Sequence, residues 1–230
     1  MKLMKSALVA IAGLSLVAMS CQSAPAEKKS DTKAAKPVAE KPVGNTADVS
    51  KGTPTVDGEM DDLYASATVL KTEAKTMGDT DVYAEGRLLW DESFLYVFID
   101  VKDPVLSDKS PNVWEQDSVE IVIDQNNGKT GAYQADDGQY RVGFKGVKSY
   151  GGNAVSKSFQ AVAKTTDTGY VVEAAIPLNK VPGAAGNLMG FDFQVNEDPG
   201  KGTRTAIRCW NDTTNTNYQS TKNFGTITLK

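Results

Sequence analysis

Residues 82–101 read VYAEGRLLWDESFLYVFIDV, and this stretch decides the fold. Two β-rich runs, Val82–Trp90 and Phe94–Val101, flank the turn-forming residues Asp91-Glu92-Ser93, so the stretch predicts a β-hairpin. One face of the second run carries Leu95, Val97, Ile99 and Val101, and the other carries Phe94, Tyr96 and Phe98. Because both faces are largely apolar, we expect this strand to be central and buried.

Short strands separated by turns continue along the rest of the chain. Asn126-Asn127-Gly128, Asp136-Asp137-Gly138 and Asn211-Asp212 are turn formers, and no long amphipathic helix is evident. Further strands are predicted at Ser118–Ile123, Gln139–Phe144, Ser158–Ala163, Tyr170–Ile176, Phe191–Val195, Thr205–Cys209 and Gly225–Leu229. The sequence therefore predicts an all-β fold, an antiparallel, jelly-roll-like β-sandwich.

The first residues predict export and lipid attachment. Lys2 and Lys5 precede an apolar run from Ala7 to Val17 that is too short to span a bilayer, which is typical of a signal peptide. The run ends in Leu16-Val17-Ala18-Met19-Ser20-Cys21, which resembles a bacterial lipobox. We expect residues 1–20 to be a lipoprotein signal peptide and Cys21 to carry lipid. The alternative is an ordinary secretory signal cleaved nearby.

Residues 21–52 predict a tether between the lipid and the folded domain. From Gln22 to Gly52 the chain has almost no large apolar side chain, so it is expected to be a flexible linker. Gln22 is not the aspartate associated with inner-membrane retention, which favours the outer membrane or cell surface of a bacterial envelope. Residues 53–230 have the size of one monomeric domain with its own core.

Composition excludes several kinds of chemistry. The chain has no histidine, so acid–base chemistry would depend on carboxylates and a metal would need oxygen ligands. With Cys21 lipidated, Cys209 has no disulfide partner. The formal net charge of −4 becomes −6 once Lys2 and Lys5 are removed, which argues against nucleic acid as a partner.

Two tryptophans stand in polar loops and are candidates for ligand binding. Trp114 follows a proline- and serine-rich loop just before a strand, and Trp210 stands where a strand passes into Asn211-Asp212. Trp90 lies at the predicted hairpin turn and is expected to be core. A pyranose ring is bound by aromatic faces and by charged groups that hydrogen-bond its hydroxyls. Glu120 and Arg141, on successive strands, are candidates for such a pair.

Each of these residues also has a structural interpretation. Trp114 and Trp210 would then be caps of the core, and Glu120 with Arg141 an ordinary cross-strand salt bridge. Sequence patterning alone does not separate the two interpretations.

Beyond these patterns, nearly all of residues 53–230 resembles the family 9 carbohydrate-binding modules, which are often attached to xylanases. The resemblance is densest at Trp114–Asp124 and includes Tyr140-Arg141 and Trp210-Asn211-Asp212. Further matching segments are Thr55–Gly58, Asp61–Tyr64, Leu89–Asp91, Leu95–Val97, Gln194–Asn196 and Asn223–Gly225.

The resemblance implies a non-catalytic module that binds a sugar chain at its end. Trp114 and Trp210 would sandwich the terminal sugar, and Glu120 and Arg141 would hydrogen-bond its hydroxyls. Asn196 and Asn211 lie in matching segments and are further ligand-binding candidates. The implied ligands are reducing ends of glucans such as cellulose, or of xylans.

The same resemblance implies calcium as a structural ion, a hard cation that prefers oxygen ligands. Acidic loop residues that suit it are Asp57, Glu59, Asp61, Asp62, Asp136 and Asp137. No EF-hand spacing is present, so no ligand set is assigned, and solvated acidic loops are the alternative.

Three other functions remain open at this point. A small glycosidase would need two suitably spaced carboxylates, and acidic residues are abundant. A haem-binding periplasmic β-sandwich would need methionine or lysine ligands, for which Met60, Met77 and Met189 show little spacing signal. The third is a purely structural envelope lipoprotein.

Overall fold

A computed structural model describes residues 44–230, so the predicted signal peptide, Cys21 and most of the predicted linker lie outside the described residues. The strands are β1 Thr46–Lys51, β2 Leu70–Lys71, β3 Ala74–Met77, β4 Tyr83–Trp90, β5 Phe94–Lys102, β6 Ser118–Asp124, β7 Asp137–Gly143, β8 Lys148–Gly152, β9 Gln160–Thr166, β10 Gly169–Pro177, β11 Leu188–Glu197, β12 Ala206–Cys209 and β13 Gly225–Leu229. Two short 3₁₀ helices are η1 Asp62–Ser66 and η2 Val113–Glu115. Neither of these helices has the length and apolar character needed to cross a membrane.

The strands form two sheets, which confirms the predicted all-β sandwich. Sheet A runs β8-β7-β6-β11-β13-β1, with β12 beside the second half of β11 and β3 beside β12. Sheet B runs β1-β4-β5-β10-β9, with the two-residue strand β2 beside β4. The predicted hairpin is β4 and β5, which pair antiparallel from Tyr83 with Lys102 to Trp90 with Leu95.

Strand β1 joins the two sheets and lies within the segment predicted to be linker. Its residues 46–49 pair with β13 and its residues 50–51 pair with β4, and both pairings are parallel in an otherwise antiparallel sandwich. The sheet also begins before the predicted boundary at residue 53, within the segment predicted to be linker. Only Ala47 and Val49 of this strand are buried, which is too weak an apolar pattern to signal a strand.

The main core fills the space between the sheets. Trp90 lies in it, as predicted, and its indole Nε1 donates hydrogen bonds to the carbonyls of Val49 (3.1 Å) and Lys230 (3.2 Å). Strand β5 is buried on both faces because a second apolar cluster covers the outside of sheet B, as expected of a central strand. That cluster contains Tyr64, Leu89, Tyr96, Phe98 and Ala175.

The position of β1 predicts how the domain responds to truncation. A chain that starts at residue 53 loses the burial of Val49, worth about 1.5 to 3 kcal/mol, together with the backbone hydrogen bonds of two ladders. We expect its Tm to lie at least about 5 °C below that of a chain starting at residue 44, measured by calorimetry. Equal Tm values would show that β1 contributes nothing to the fold.

Candidate functional site

A row of polar side chains crosses the outer face of sheet A. The strand register places Glu120 of β6 between Arg141 of β7 and Gln194 of β11. Ser149 pairs with Arg141 at one end of the row, and Cys209 pairs with Gln194 at the other. Directly paired residues share a face of a sheet, and successive residues alternate between faces. The alternate residues of these strands, including Val119, Ile121, Val142, Phe193 and Val195, accordingly lie in the core.

Glu120 is the hub of this row. Its side chain is only 2% exposed, and its Oε1 accepts hydrogen bonds from Arg141 Nε (2.8 Å) and Asn196 Nδ2 (2.8 Å). Oε2 accepts a hydrogen bond from Gln139 Nε2, and Arg204 Nη1 lies 3.8 Å from Oε1. A buried carboxylate is costly unless it is paired and hydrogen-bonded, and these donors meet both conditions.

A cleft of ≈ 400 Å³ lies over this polar row. Two exposed aromatic rings line it, Trp114 at 49% exposure and Tyr218 at 53%. The full lining is Trp114, Glu120, Gln139, Arg141, Gln194, Arg204, Asn215, Asn217 and Tyr218. Apolar rings beside a few convergent polar groups are the usual composition of a small-ligand site.

The Trp114 side of the cleft is a short loop fixed by hydrogen bonds. Trp114 lies in η2, where the Glu115 carboxylate accepts hydrogen bonds from Ser110 Oγ (2.8 Å) and Asn112 Nδ2 (3.1 Å). Arg204 Nη1 donates to the Trp114 carbonyl (3.0 Å) and to Asn196 Oδ1 (3.0 Å), which joins this loop to β11.

The Tyr218 side is built around Asp212. Its carboxylate accepts hydrogen bonds from the backbone N–H groups of Thr214, Thr216 and Asn217 at 2.9 to 3.2 Å. Asn217 Nδ2 then donates to Gln194 Oε1 (2.7 Å), which ties the loop to the polar row. Asp192 lies beneath it and accepts from the Asp212 N–H (2.7 Å), and burial raises the pKa of Asp192 to about 7.

Trp210 does not line the cleft, which corrects its predicted role. Trp210 is only 6% exposed, and its ring packs in the core with its centroid 5.9 Å from that of the Phe191 ring. The physical reason is the strand register: Cys209 belongs to the outer polar row, so the next residue faces the core. A Cβ on Gly225 would lie 2.3 Å from the indole, so glycine is required there.

The two predicted asparagines have different positions. Asn196 is buried below the cleft and hydrogen-bonds Glu120, so it positions the carboxylate and is not in the cleft lining. Asn211 also lies outside the lining, because its side chain accepts from Asn45 N (2.7 Å) and donates to the Asn223 carbonyl (2.6 Å). Its role is to fasten the start of β1 to the loop after β12.

Several lining residues were missed by the sequence prediction. They are Gln139, Gln194, Arg204, Asn215, Asn217 and Tyr218. Tyr218 carried a usable signal, because an aromatic residue directly after the polar run Thr213–Asn217 stands out for the same reason as Trp114. The contributions of Gln139 and Gln194 depend on the pairing register of β7 and β11, and those of Arg204, Asn215 and Asn217 on the course of loops, and neither is visible in the sequence pattern.

Acidic side chains form two close groups within residues 44–230. The acidic triad consists of Asp103, Asp117 and Glu197, and the second group of Asp124, Asp136 and Asp137. Burial and the neighbouring charges raise the pKa of Asp117 to about 8 and that of Glu197 to about 7. The predicted candidates Asp136 and Asp137 therefore meet, whereas Asp57, Glu59, Asp61 and Asp62 belong to neither group.

Comparison with known proteins decides the family. The protein-family model described as "Carbohydrate family 9 binding domain-like" matches residues 56–230 of this chain. The chain belongs to carbohydrate-binding module family 9. A family 9 module from Caldicellulosiruptor kristjanssonii, solved with cellotriose, superposes with a TM-score of 0.77 at 36% identity and covers 81% of this chain and 94% of that one. The same module has also been solved with glucose, at the same identity and TM-score.

The curated relatives of this family 9 module are much longer proteins. Endo-1,4-beta-xylanase C of Paenibacillus barcinonensis is 45% identical over 80% of this chain, and Exoglucanase XynX of Acetivibrio thermocellus is 40% identical over 77%. The matched region spans only 17% and 16% of those proteins. It is their carbohydrate-binding part, so the chain is a non-catalytic carbohydrate-binding module and the glycosidase alternative is excluded.

Proposed function

We propose that the cleft holds the terminal sugar of a glucan or xylan chain, with Trp114 and Tyr218 as its aromatic walls. The observation that carries the proposal is the position of two half-exposed rings in one cleft above a buried charged row. The cellotriose and glucose complexes of the related module, and the xylanases among the relatives, support these ligand classes.

Glu120 and Arg141 would supply the polar contacts. A carboxylate offers about four acceptor positions, and protein donors take three of those on Glu120, which leaves one on Oε2 for a sugar hydroxyl. Arg141 uses Nε for Glu120 and Nη1 for Ser149 (2.8 Å), and a guanidinium has further N–H groups to donate. The floor therefore both accepts from and donates to ring hydroxyls.

The two aromatic walls predict the result of a binding experiment. Residues 44–230 should bind cellobiose or xylobiose weakly in calorimetric titrations, and Trp114→Ala and Tyr218→Ala should each lower the affinity about tenfold or more. The reason is that stacking on one ring contributes roughly 1 to 3 kcal/mol, and about 1.4 kcal/mol corresponds to tenfold.

Tyr83→Ala is the matched control, because Tyr83 is 43% exposed but lies outside the cleft, and it should leave the affinity unchanged. Normal binding by both wall variants would contradict the site.

Recognition of the reducing end is tested with borohydride-reduced cellobiose, whose terminal ring is open. Equal affinity for native and reduced sugar would show that the cleft does not select that end.

We also propose that the acidic triad holds calcium. Asp103 Oδ2, Glu197 Oε2 and the Tyr170 hydroxyl are buried and have no hydrogen-bond partner among residues 44–230. Burial, followed by the charges of the triad carboxylates, raises the pKa of Tyr170. The partnerless oxygens of Asp103 and Glu197 belong to one buried acidic group, and such oxygens fit a hard cation, which would supply the missing positive charge.

A cation that binds only the folded chain stabilises it by mass action. We therefore expect a chelator to lower the Tm of residues 44–230 and added CaCl₂ to restore it, as followed by circular dichroism. Identical melting curves for metal-free and calcium-loaded protein would remove calcium from the account.

We propose a location in the bacterial cell envelope, with lipid on Cys21 and the module held at the outer membrane or surface. The apolar run ending at Cys21, followed by Gln22 and a polar segment, supports this position. There the module would retain oligosaccharides near the cell.

Incorporation of a fatty-acid analogue should require Cys21, and unchanged labelling of the Cys21→Ala variant would refute the anchor.

A further inference from the structure

We propose that cation binding at the acidic triad and sugar binding in the cleft are coupled, so that each ligand tightens the other. The inference rests on the proposed function and gives the sugar site a regulator. Its basis is that Asp117, one of the triad carboxylates, anchors both loops that carry cleft residues on the Trp114 side.

Asp117 closes the loop that carries Trp114. Its Oδ2 accepts a hydrogen bond from the Ser107 N–H (2.6 Å), and its own N–H donates to the Ser107 carbonyl (3.0 Å). The segment between these two residues contains η2 with Trp114. Movement of the Asp117 side chain would therefore break one of the two hydrogen bonds that close this loop.

The other oxygen of Asp117 fixes the turn that leads to Arg204. Asp117 Oδ1 accepts from the Asp198 N–H (2.6 Å), and the Asp198 carboxylate accepts from Ser107 Oγ (2.6 Å) and from the Lys201 N–H (2.7 Å). Beyond this turn, Arg204 donates to the Trp114 carbonyl and to Asn196. The two loops thus share one anchoring carboxylate.

The triad is also one residue away from the cleft floor on two strands. Asp117 precedes Ser118, the first residue of β6, and Glu197 follows Asn196 on β11. Asn196 Nδ2 donates to both Ser118 Oγ (3.0 Å) and Glu120 Oε1 (2.8 Å). A shift of the triad would therefore reach the floor carboxylate through a single hydrogen-bonded side chain.

The three carboxylates meet within 4.8 Å of one another in a buried position, so their ionised forms repel one another unless a cation lies between them, and Asp117 of this triad anchors both loops. A bound cation replaces repulsion with attraction and holds Trp114 and Arg204 at the cleft. A sugar in the cleft would contact Trp114 and Arg204 in these same positions. Sugar binding therefore favours the loop arrangement that the cation stabilises. Thermodynamic linkage requires the two effects to be equal in size.

The test measures both halves of this linkage on residues 44–230 by calorimetry, at a temperature where circular dichroism shows the metal-free chain to be folded. We expect cellobiose affinity to be several-fold higher in CaCl₂ than in chelator. The affinity for CaCl₂ should rise by the same factor when cellobiose is saturating. A purely structural ion would raise the Tm without this reciprocal change.

Asp103→Asn should weaken CaCl₂ binding and reduce the difference in cellobiose affinity between the two buffers. Asp62→Asn removes the same charge from an exposed position on η1. It should leave unchanged both the affinity for CaCl₂ and the difference in cellobiose affinity between the two buffers. Equal cellobiose affinity with and without bound calcium would overturn the coupling and leave the sugar site standing. Absence of cellobiose binding in both buffers would instead refute the proposed function, and the coupling with it.

Discussion

The site depends on one buried carboxylate. Glu120 lies on the outer face of a sheet, where a charge would normally remain solvated, yet it is almost completely covered. Its burial is tolerated because Arg141 and Gln139 of β7 and Asn196 of β11 all donate to it. A change in the register of either neighbouring strand would remove these donors, so the same interaction that supplies the polar floor also fixes the alignment of β6, β7 and β11.

Buried carboxylates also hold the loops that form the walls of the cleft. Asp117 and Asp198 hold the backbone of the Trp114 and Arg204 loops, and Asp192 and Asp212 hold the loop that ends at Tyr218. In each case a carboxylate accepts backbone N–H groups that would otherwise have no partner in an irregular segment. Loops fixed in advance lose less conformational entropy when a ligand binds, which matters for a module whose ligand offers few apolar groups.

Alternation and turn residues in the sequence were sufficient to predict the sandwich, the β4–β5 hairpin and the core position of Trp90. They were insufficient for β1, β2, β3 and β8, which are short or carry few buried apolar side chains. In the site, Trp114, Glu120 and Arg141 were predicted correctly to lie together, because the resemblance and the strand spacing agreed. Trp210 was assigned to the wrong face because the face of an aromatic residue at a strand end depends on register, which a single sequence does not contain.

The central claim, that Trp114 and not Trp210 meets the sugar, can be tested with the three tryptophans of the chain as internal probes. Each indole N–H gives its own resonance in a nitrogen–proton correlation spectrum of residues 44–230. Titration with cellobiose is expected to shift the Trp114 indole resonance and leave those of the core residues Trp90 and Trp210 in place. A spectrum in which the Trp210 resonance moves most, or in which no indole resonance moves at saturating sugar, would contradict the account.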